Sequence, residues 1–206
     1  MARLFRSPRT GAAASLLVLG LGNPGAEFEH TRHNAGADTV ALLAARAGER
    51  LRSEKGTHAL VATLRWPSGT VVAAFPQTYM NDSGLAAAAL VKRYSIEDLG
   101  RLVVVHDELD LPTGRVKLKV GGGSAGHNGL KSIDAHLHDR GYVRVRIGIG
   151  KPPGRRSGTD HVLRRPARAD REALEVAVEL AADAVELVAA EGVDAAMNRY
   201  NAEEPV

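Results

Sequence analysis

The hydrophobic residues of this 206-residue chain occur in short runs that alternate with longer amphipathic stretches. Continuous apolar runs, such as 15–21 and 102–105, are typical of strands that are covered on both faces. Segments 116–120 and 143–149 alternate apolar residues with Lys or Arg, which predicts strands with one polar face. Pro, Ser and Gly at 67–69 separate two further apolar segments and predict a hairpin. The predicted strands are residues 15–21, 57–65, 70–75, 102–105, 116–120 and 143–149.

Four other segments place their apolar residues at helical spacing. The longest is predicted to begin with Asp170 as its N-cap and to end at Gly192. The remaining predicted helices cover residues 34–47, 85–94 and 128–138. Strands interleaved with helices predict an α/β protein, namely a single-domain three-layer sandwich in which helices flank a mixed, mostly parallel central sheet.

The N-terminal residues resemble a signal peptide only loosely. Three arginines precede an apolar run, but that run ends in Gly-Asn-Pro-Gly without a small-x-small cleavage pattern. We therefore predict a basic, disordered extension at 1–14 and a single α/β domain at 15–202. No segment has the roughly 18 apolar residues that a membrane span requires. Residues 151–168, which are rich in Pro, Gly and Arg, are expected to be the most flexible internal segment.

Composition adds two constraints. The absence of Cys excludes disulfides and thiolate chemistry, and it fits a reducing cytoplasm. Residues 170–206 hold ten acidic and two basic residues, so residues 1–169 hold 25 basic and 14 acidic ones. A basic body favours a polyanionic partner, because Lys and Arg release condensed counterions from phosphates, although a solvated charged surface would show the same balance.

One glycine-rich segment suggests nucleotide binding. Residues 20–25 (GLGNPG) follow a predicted strand and match G-x-G-x-x-G, the first half of a dinucleotide-binding fingerprint. The second half is missing, because the predicted helix does not open at the third glycine. In addition, Asp38 lies inside that helix rather than at the end of a second strand.

A second glycine-rich segment suggests a serine esterase. Residues 122–126 (GGSAG) match the G-x-S-x-G nucleophile elbow, with Ser124 as the nucleophile. The lysine-bearing strand before it argues against this, since an elbow follows a deeply buried strand, and Asp134 and His136 would share one short helix. The same turn is compatible with a phosphate cradle at a helix N-terminus, or with a tight turn that needs positive φ.

Polar side chains gather where predicted strands end or helices begin. Asp107 ends an apolar strand, and a buried carboxylate is costly without a partner. If Asp107 faces His33, it would fix the imidazole tautomer and favour the imidazolium that forms as His33 takes up a proton. With no Cys and no convincing Ser, we expect water to be the nucleophile. The clusters are Asn23, His33-Asn34, Asn81, His106-Asp107 and His127-Asn128.

The asparagines suit an ester substrate better than a metal. A carboxamide donates and accepts without charge, so it can hold a peptide backbone and meet a developing oxyanion. No metal site is expected, because His33, His106 and His127 lack the usual ligand spacings and few carboxylates lie near them in the sequence.

Five motifs in order, together with a sixth near the end, closely resemble bacterial peptidyl-tRNA hydrolases. They are LGLGNPGAEFEHTRHNAG (19–36), PQTYMNDSG (76–84), VHDELDLPTG (105–114), GGGSAGHNGLKSI (121–133), RVRIGIGKP (144–152) and MNRYN (197–201). The resemblance implies a monomeric cytoplasmic α/β enzyme that needs no cofactor. It implies as well that the enzyme hydrolyses the ester between the peptide and the terminal ribose of tRNA, and so recycles tRNA during translation.

The resemblance also implies residue roles. By that analogy His33 activates water, Asp107 orients and polarises His33, and Asn23 helps to position water and substrate. The matched peptide-binding positions are Phe28, Met80, Asn81 and Asn128. Lys119 and Arg146 match positions expected to clamp the tRNA 5′-phosphate and acceptor stem.

Three positions depart from the motifs of relatives. Phe28 stands where many members carry Tyr, and Ser124-Ala125 replaces a His-Gly pair that is found in some relatives. Two other functions remain open at this point: a non-catalytic RNA-binding protein on the same fold, and the serine esterase using Ser124. The RNA-binding alternative does not explain the His–Asp pair beside uncharged amides.

Overall fold

The computed structural model describes residues 13–152 and 157–202, which build a seven-stranded sheet with helices on both faces. The strands are β1 Leu16–Gly20, β2 Arg52–Glu54, β3 Ala59–Trp66, β4 Gly69–Pro76, β5 Leu102–Glu108, β6 Val116–Val120 and β7 Val143–Gly148. The helices are α1 Ala35–Arg46, α2 Ser83–Arg93, α3 Asn128–Leu137, α4 Gly158–Val162, α5 Arg168–Glu191 and α6 Val193–Asn201. The predicted three-layer α/β architecture is confirmed.

The sheet is parallel in its centre and antiparallel at both sides. Its order is β2-β3-β4-β1-β5-β7-β6. Strands β4, β1, β5 and β7 run parallel, whereas the β3–β4 hairpin and the β6–β7 pair are antiparallel. The carboxyl ends of the four central strands therefore meet at one edge of the sheet, which is where α/β proteins place their ligands.

Each face of the sheet has its own apolar core because successive strand residues point to opposite faces. On one face Val18 and Val105 pack with residues of α1, α5 and α6. On the other, Leu17 and Val104 pack with residues of α2 and α3. The continuous apolar runs predicted as doubly covered strands are fully buried in β1 and β5.

Two glycines bring α1 unusually close to the sheet. A Cβ on Gly20 would lie 2.1 Å from the carbonyl oxygen of Gly36, and one on Gly36 would lie 2.2 Å from that of Val105. These glycines therefore serve close helix–strand packing. Because α1 begins at Ala35, ten residues after Gly25, the G-x-G-x-x-G segment does not open a helix as a dinucleotide site requires.

Two sequence expectations were wrong. Asp170 is not the N-cap of α5, which begins at Arg168 after Ala167, because its carboxylate pairs instead with Arg32 at 2.7 Å. Strand β7 does not have a solvent-exposed polar face at Arg144, which is 3% exposed and donates hydrogen bonds to the carbonyl oxygens of Gly121 and Gly123.

The side chain of Asn201 pairs with the backbone of the edge strand β6 at Leu118. Asn201 accepts from the Leu118 N–H at 2.8 Å and donates to the Leu118 carbonyl at 2.9 Å, as a neighbouring strand would. Asn201 belongs to the MNRYN motif, whose role the sequence did not reveal.

The ends and the Pro-Gly-Arg segment are only partly described. Residues 1–12, most of the predicted disordered extension, lie outside the described residues, but Ala14 is fully buried and donates to the Tyr94 carbonyl. Within 151–168, residues 158–162 form helix α4, capped by Ser157. None of the helices within 13–152 and 157–202 is long and apolar enough to cross a membrane.

Candidate active site

A cavity of about 570 Å³ opens at the carboxyl ends of the central strands. The loop after β1 contributes Asn23, Phe28 and His33, and β5 contributes Asp107. The turn after β4 and the start of α3 supply further lining residues. Six of the predicted site residues therefore line the cavity together with Asp107, and these six are Asn23, Phe28, His33, Met80, Asn81 and Asn128.

His33 and Asp107 form a hydrogen-bonded pair. The Nδ1 of His33 lies 2.9 Å from Oδ1 of Asp107, whose side chain is only 2% exposed. His33 sits in a 3-10 turn, Arg32–Asn34, that leads directly into α1, while Asp107 is the last but one residue of strand β5. Because a carboxylate accepts, Nδ1 carries the proton, and Nε2 keeps a lone pair. His33 can thus act as a base.

The interaction raises the pKa of His33 and lowers the pKa of Asp107. Burial lowers the pKa of His33, but the charge of Asp107 and its hydrogen bond outweigh burial, so the pKa lies above 6.5. Burial raises the pKa of Asp107, but His33 and His127 hold it well below its usual range. Asp107 is therefore ionised at every pH at which His33 is neutral and can accept a proton.

His127 is a third member of this cluster that our site prediction omitted. Its Nε2 lies 3.0 Å from the same Oδ1 of Asp107, and its Nδ1 accepts from the backbone N–H groups of Gly129 and Leu130. The N-cap role requires an unprotonated Nδ1, so His127 is a neutral Nε2–H tautomer that donates to Asp107. One carboxylate oxygen thus receives two imidazole N–H groups.

His106 lies behind His127 and is 1% exposed. Its Nδ1 bonds to the carbonyl of Asp107 at 2.7 Å, its Nε2 has no partner among the described residues, and its ring meets His127 edge-on at 5.0 Å. Burial lowers the pKa of His106 to about 3. His106 therefore stays neutral in the folded protein at ordinary pH.

We predict that His106 makes folding sensitive to mild acid. Below pH 6.5 the unfolded chain protonates this histidine and the folded protein does not, so stability falls with pH until about pH 3. The slope from one such group is at most about 1.4 kcal/mol per pH unit. Urea unfolding of His106→Asn between pH 4 and 6.5 should lack this slope, whereas the exposed His138→Asn should keep it. An unchanged slope in His106→Asn would contradict the assignment.

Asn23 connects the loop after β1 to the turn after β4. Its Oδ1 accepts from the N–H of Met80 at 2.7 Å. Asn34 holds the backbone of Asn23 with two hydrogen bonds of 2.9 Å. Because Oδ1 is occupied, the Nδ2 group of Asn23 remains as a donor on the cavity wall, where it makes no hydrogen bond to a described residue.

The remaining cavity surface is mostly apolar, with two exposed carboxamides. Phe28 and the buried Met80 line it, and Tyr79, 61% exposed, adds an aromatic ring that we did not predict. Asn81 and Asn128 also line the cavity and are exposed. This arrangement suits an extended peptide whose backbone needs hydrogen bonds and whose side chains need apolar contact.

Lys119 and Arg146 lie on one face of the β6–β7 pair. The register pairs Lys119 with Arg144 and Lys117 with Arg146, so all four side chains project from the same face. Arg146 is held by Glu108 at 3.1 Å, whereas Lys119 is exposed and forms no bond with residues 13–152 or 157–202. Neither residue lines the cavity, since this basic face lies beside it.

The glycine-rich turn does not form a nucleophile elbow. It follows the edge strand β6 rather than a buried central strand, and no described residue hydrogen-bonds to the hydroxyl of Ser124. His127 already fills the N-terminus of α3, and Arg144 binds carbonyl oxygens of the turn. The amides of the first helical turn are therefore not free to cradle a phosphate.

The structure brings together possible metal ligands that the sequence spacing had hidden. Donor atoms of His33, Asp107 and His127 lie within 4.8 Å of one another. The separations of 2.9 and 3.0 Å are those of hydrogen bonds, and both imidazole protons that face the carboxylate would have to leave before a metal bound there. The absence of a metal site stays a prediction.

Comparison with known proteins assigns the chain to a family. A family model described as peptidyl-tRNA hydrolase matches residues 17–206. The chain belongs to the peptidyl-tRNA hydrolase family. It is 49% identical over 194 residues to the peptidyl-tRNA hydrolase of Nocardia farcinica, covering 94% of this chain and 98% of that one. For the peptidyl-tRNA hydrolase of Frankia casuarinae the identity is 50% over 186 residues, covering 90% and 93%.

A solved structure agrees with this assignment. The crystal structure of the peptidyl-tRNA hydrolase from Acinetobacter baumannii matches with a TM-score of 0.85 and 37% identity, over 95% of this chain and all of that one. The family resemblance drawn from the motifs is thus confirmed. Within this peptidyl-tRNA hydrolase fold, the cavity residues that sequence reasoning missed include His127, Tyr79 and residues of helix α4. His127 could have been found from the sequence, because it lies directly before the predicted helix at 128–138.

Proposed function

We propose that the chain hydrolyses the ester between the peptide and the terminal ribose of peptidyl-tRNA, with a water molecule activated by His33. The observation that supports this most directly is the 2.9 Å bond between His33 Nδ1 and Asp107, which leaves Nε2 unprotonated at the wall of an apolar cavity. The side chain of His33 is 12% exposed, so water and substrate can reach it.

The reaction would proceed in two proton transfers. Nε2 of His33 takes a proton from water as the oxygen attacks the ester carbonyl, and Asp107 stabilises the imidazolium. The carbonyl oxygen becomes an oxyanion, for which the Nδ2 group of Asn23 is a positioned donor. When the carbon–oxygen bond to the ribose breaks, the imidazolium returns its proton to the leaving hydroxyl, and the peptide carboxylate and free tRNA depart.

The peptide and the tRNA would occupy different parts of the surface. Asn81 and Asn128 would hold the peptide backbone, with Phe28 and Met80 against its side chains. The basic face with Lys119 and Arg146 would receive the 5′-phosphate and acceptor stem. We propose that a single copy of the chain suffices, because all of these residues belong to one protomer.

We predict that Lys119→Ala weakens tRNA binding without affecting chemistry. Lys119 is an exposed cation without a described partner, so its loss removes one phosphate contact. KM should rise several-fold and the dependence of log KM on log salt should fall by about one, with kcat unchanged. Lys55→Ala, an exposed lysine beside β2 at the far edge of the sheet, is the matched control. Equal effects of the two variants would contradict this placement.

The function itself is tested by release of peptide from tRNA carrying an N-acetylated amino acid. We expect turnover of this blocked substrate and none of free aminoacyl-tRNA. A charged amino group is disfavoured in the mostly apolar cavity, and the two carboxylates that line it, Asp107 and Glu108, are already paired with His33 and Arg146. Absence of turnover by well-folded protein, with RNA binding retained, would favour the non-catalytic RNA-binding alternative. Covalent labelling of Ser124 by a phosphonylating reagent would favour the serine esterase.

A further inference from the structure

Helix α4 and the residue after it form one wall of the cavity. Residues 158–163, called the pocket wall below, include Val162, which is 8% exposed, and Leu163, which is 37% exposed. Phe28 lines the same cavity from the loop after β1. The two apolar surfaces belong to segments about 130 residues apart in sequence, so only tertiary contacts can fix the distance between them.

Arg165 makes the first of these contacts. It follows the pocket wall, and its guanidinium donates to the carbonyl oxygen of Glu29 at 2.9 Å and to that of Ala26 at 3.1 Å. These two carbonyls lie on either side of Phe28 in the sequence. A planar guanidinium that binds two carbonyls restrains the intervening backbone in position and in direction, which a single point donor cannot do.

Arg32 makes the reciprocal contact from the other segment. Its side chain is 8% exposed, and its guanidinium donates to Asp170 at 2.7 Å and to the backbone carbonyl of Arg164 at 3.4 Å. Arg32 thus reaches from the turn that carries His33 to the chain that leaves the pocket wall. A buried guanidinium is costly without partners, so this contact holds the two segments together.

We propose that Arg165 and Arg32 are positioning residues that hold the pocket wall against the Phe28 loop and thereby determine the affinity for large apolar side chains in the peptide. This inference rests on the proposed function. Leu163 and Phe28 would contact the side chain of the peptide rather than its ester. The two arginines should therefore affect KM for bulky peptides and leave the chemical step at His33 unchanged.

The test compares two substrates on the same tRNA, one carrying N-acetylphenylalanine and the other N-acetylglycine. Loss of charge-assisted hydrogen bonds in Arg165→Ala should raise KM for the phenylalanine substrate about tenfold, and for the glycine substrate less than about twofold, with kcat nearly constant. Arg164→Ala is the matched control. It removes the same charge from the neighbouring position, and its side chain bonds to no described residue.

Two further variants separate positioning from general loss of structure. Arg165→Lys keeps the charge but lacks the rigid planar fork that fixes the positions of the two carbonyls, so we expect the same selective rise in KM. Leu163→Ala removes the proposed contact without changing charge and should reproduce the effect, with little added in the Leu163→Ala/Arg165→Ala double variant. Thermal unfolding of each variant verifies that it is folded at the assay temperature.

The outcomes are distinct. Equal rises in KM for both substrates would overturn the proposal and show that Arg165 acts through tRNA charge. An equal fall in kcat for both substrates would overturn the proposal by showing damage to the His33 turn. If Leu163→Ala left the ratio of the two KM values unchanged, the pocket wall would not determine specificity and the proposal would also be overturned. Failure of the proposed function is distinguishable from all of these, since the wild type would then turn over neither substrate.

Discussion

Replacing His33 with alanine is expected to lower kcat for N-acetylaminoacyl-tRNA by roughly 10²–10⁴, the usual contribution of a general base. KM should change little, because the tRNA surface and the apolar cavity remain. The expectation follows from the geometry at Nδ1, where the bond to Asp107 leaves Nε2 as the available base. Single-turnover measurements report the chemical step directly.

Two controls belong with this prediction. His138→Ala removes an exposed histidine at the end of α3 and should retain full activity. Added imidazole should restore part of the activity of His33→Ala, since the cavity is open to solvent and the alanine leaves room beside Asp107. Activity within a few-fold of wild type in His33→Ala would remove His33 from the mechanism.

The second large effect is expected for Asp107→Asn. The amide can still approach His33, but it has no negative charge to stabilise the imidazolium and presents an N–H that favours the wrong imidazole tautomer. By comparison with similar His–Asp pairs, kcat should fall by about 10²–10⁴. Because Asp107 also accepts from His127, the variant loses the common acceptor of two imidazoles.

The pH dependence of Asp107→Asn gives the sign of the electrostatic effect. In the wild type the charge of Asp107 raises the pKa of His33, so kcat/KM should fall as pH drops through a value above 6.5. Without that charge, burial alone acts, and the acid limb of the residual activity should move to lower pH. A limb that stays in place would show that Asp107 only orients the ring.

The free energy of unfolding should also depend on pH through Asp107 and His33. The pKa of Asp107 is depressed in the folded protein, so its contribution to the free energy of unfolding is complete above its unfolded pKa near 3.8 and is lost as pH falls below it. The raised pKa of His33 acts in the opposite sense, since its contribution is complete below 6.5 and is lost as pH rises through the folded value. Asp107→Asn should remove the first dependence and reverse the second, because burial alone then lowers the pKa of His33 in the folded protein.

The His33–Asp107 pair was predictable because each residue occupies a position with few alternatives. Asp107 ends a strand whose every residue is buried, and a carboxylate in that place needs a cationic or donor partner. His33 precedes a helix that follows the neighbouring parallel strand, so the two meet at the same sheet edge. Predictions that rest on strict apolar patterns and on the high cost of burying a charge therefore agree with the folded structure.

Other features depended on tertiary contacts that no local pattern records. Arg144 alternates with apolar residues as an exposed side chain would, yet the glycine-rich turn folds over it and accepts its hydrogen bonds. Asp170 has the sequence position of a helix cap, but Arg32, 138 residues earlier, is the partner that it binds. Among the many arginines of 151–168, nothing in the sequence distinguishes Arg165 from Arg164.

The carboxamide of Asn201 has a consequence for the order in which the chain can mature. Strand β6 ends at residue 120, and its outer edge at Leu118 is paired by Asn201, which is made 83 positions later and arrives when helix α6 docks. Until then, a nascent chain on the ribosome carries an open strand edge that any other extended chain could pair with. Docking of α6, the last helix among the described residues, therefore closes this edge to other chains.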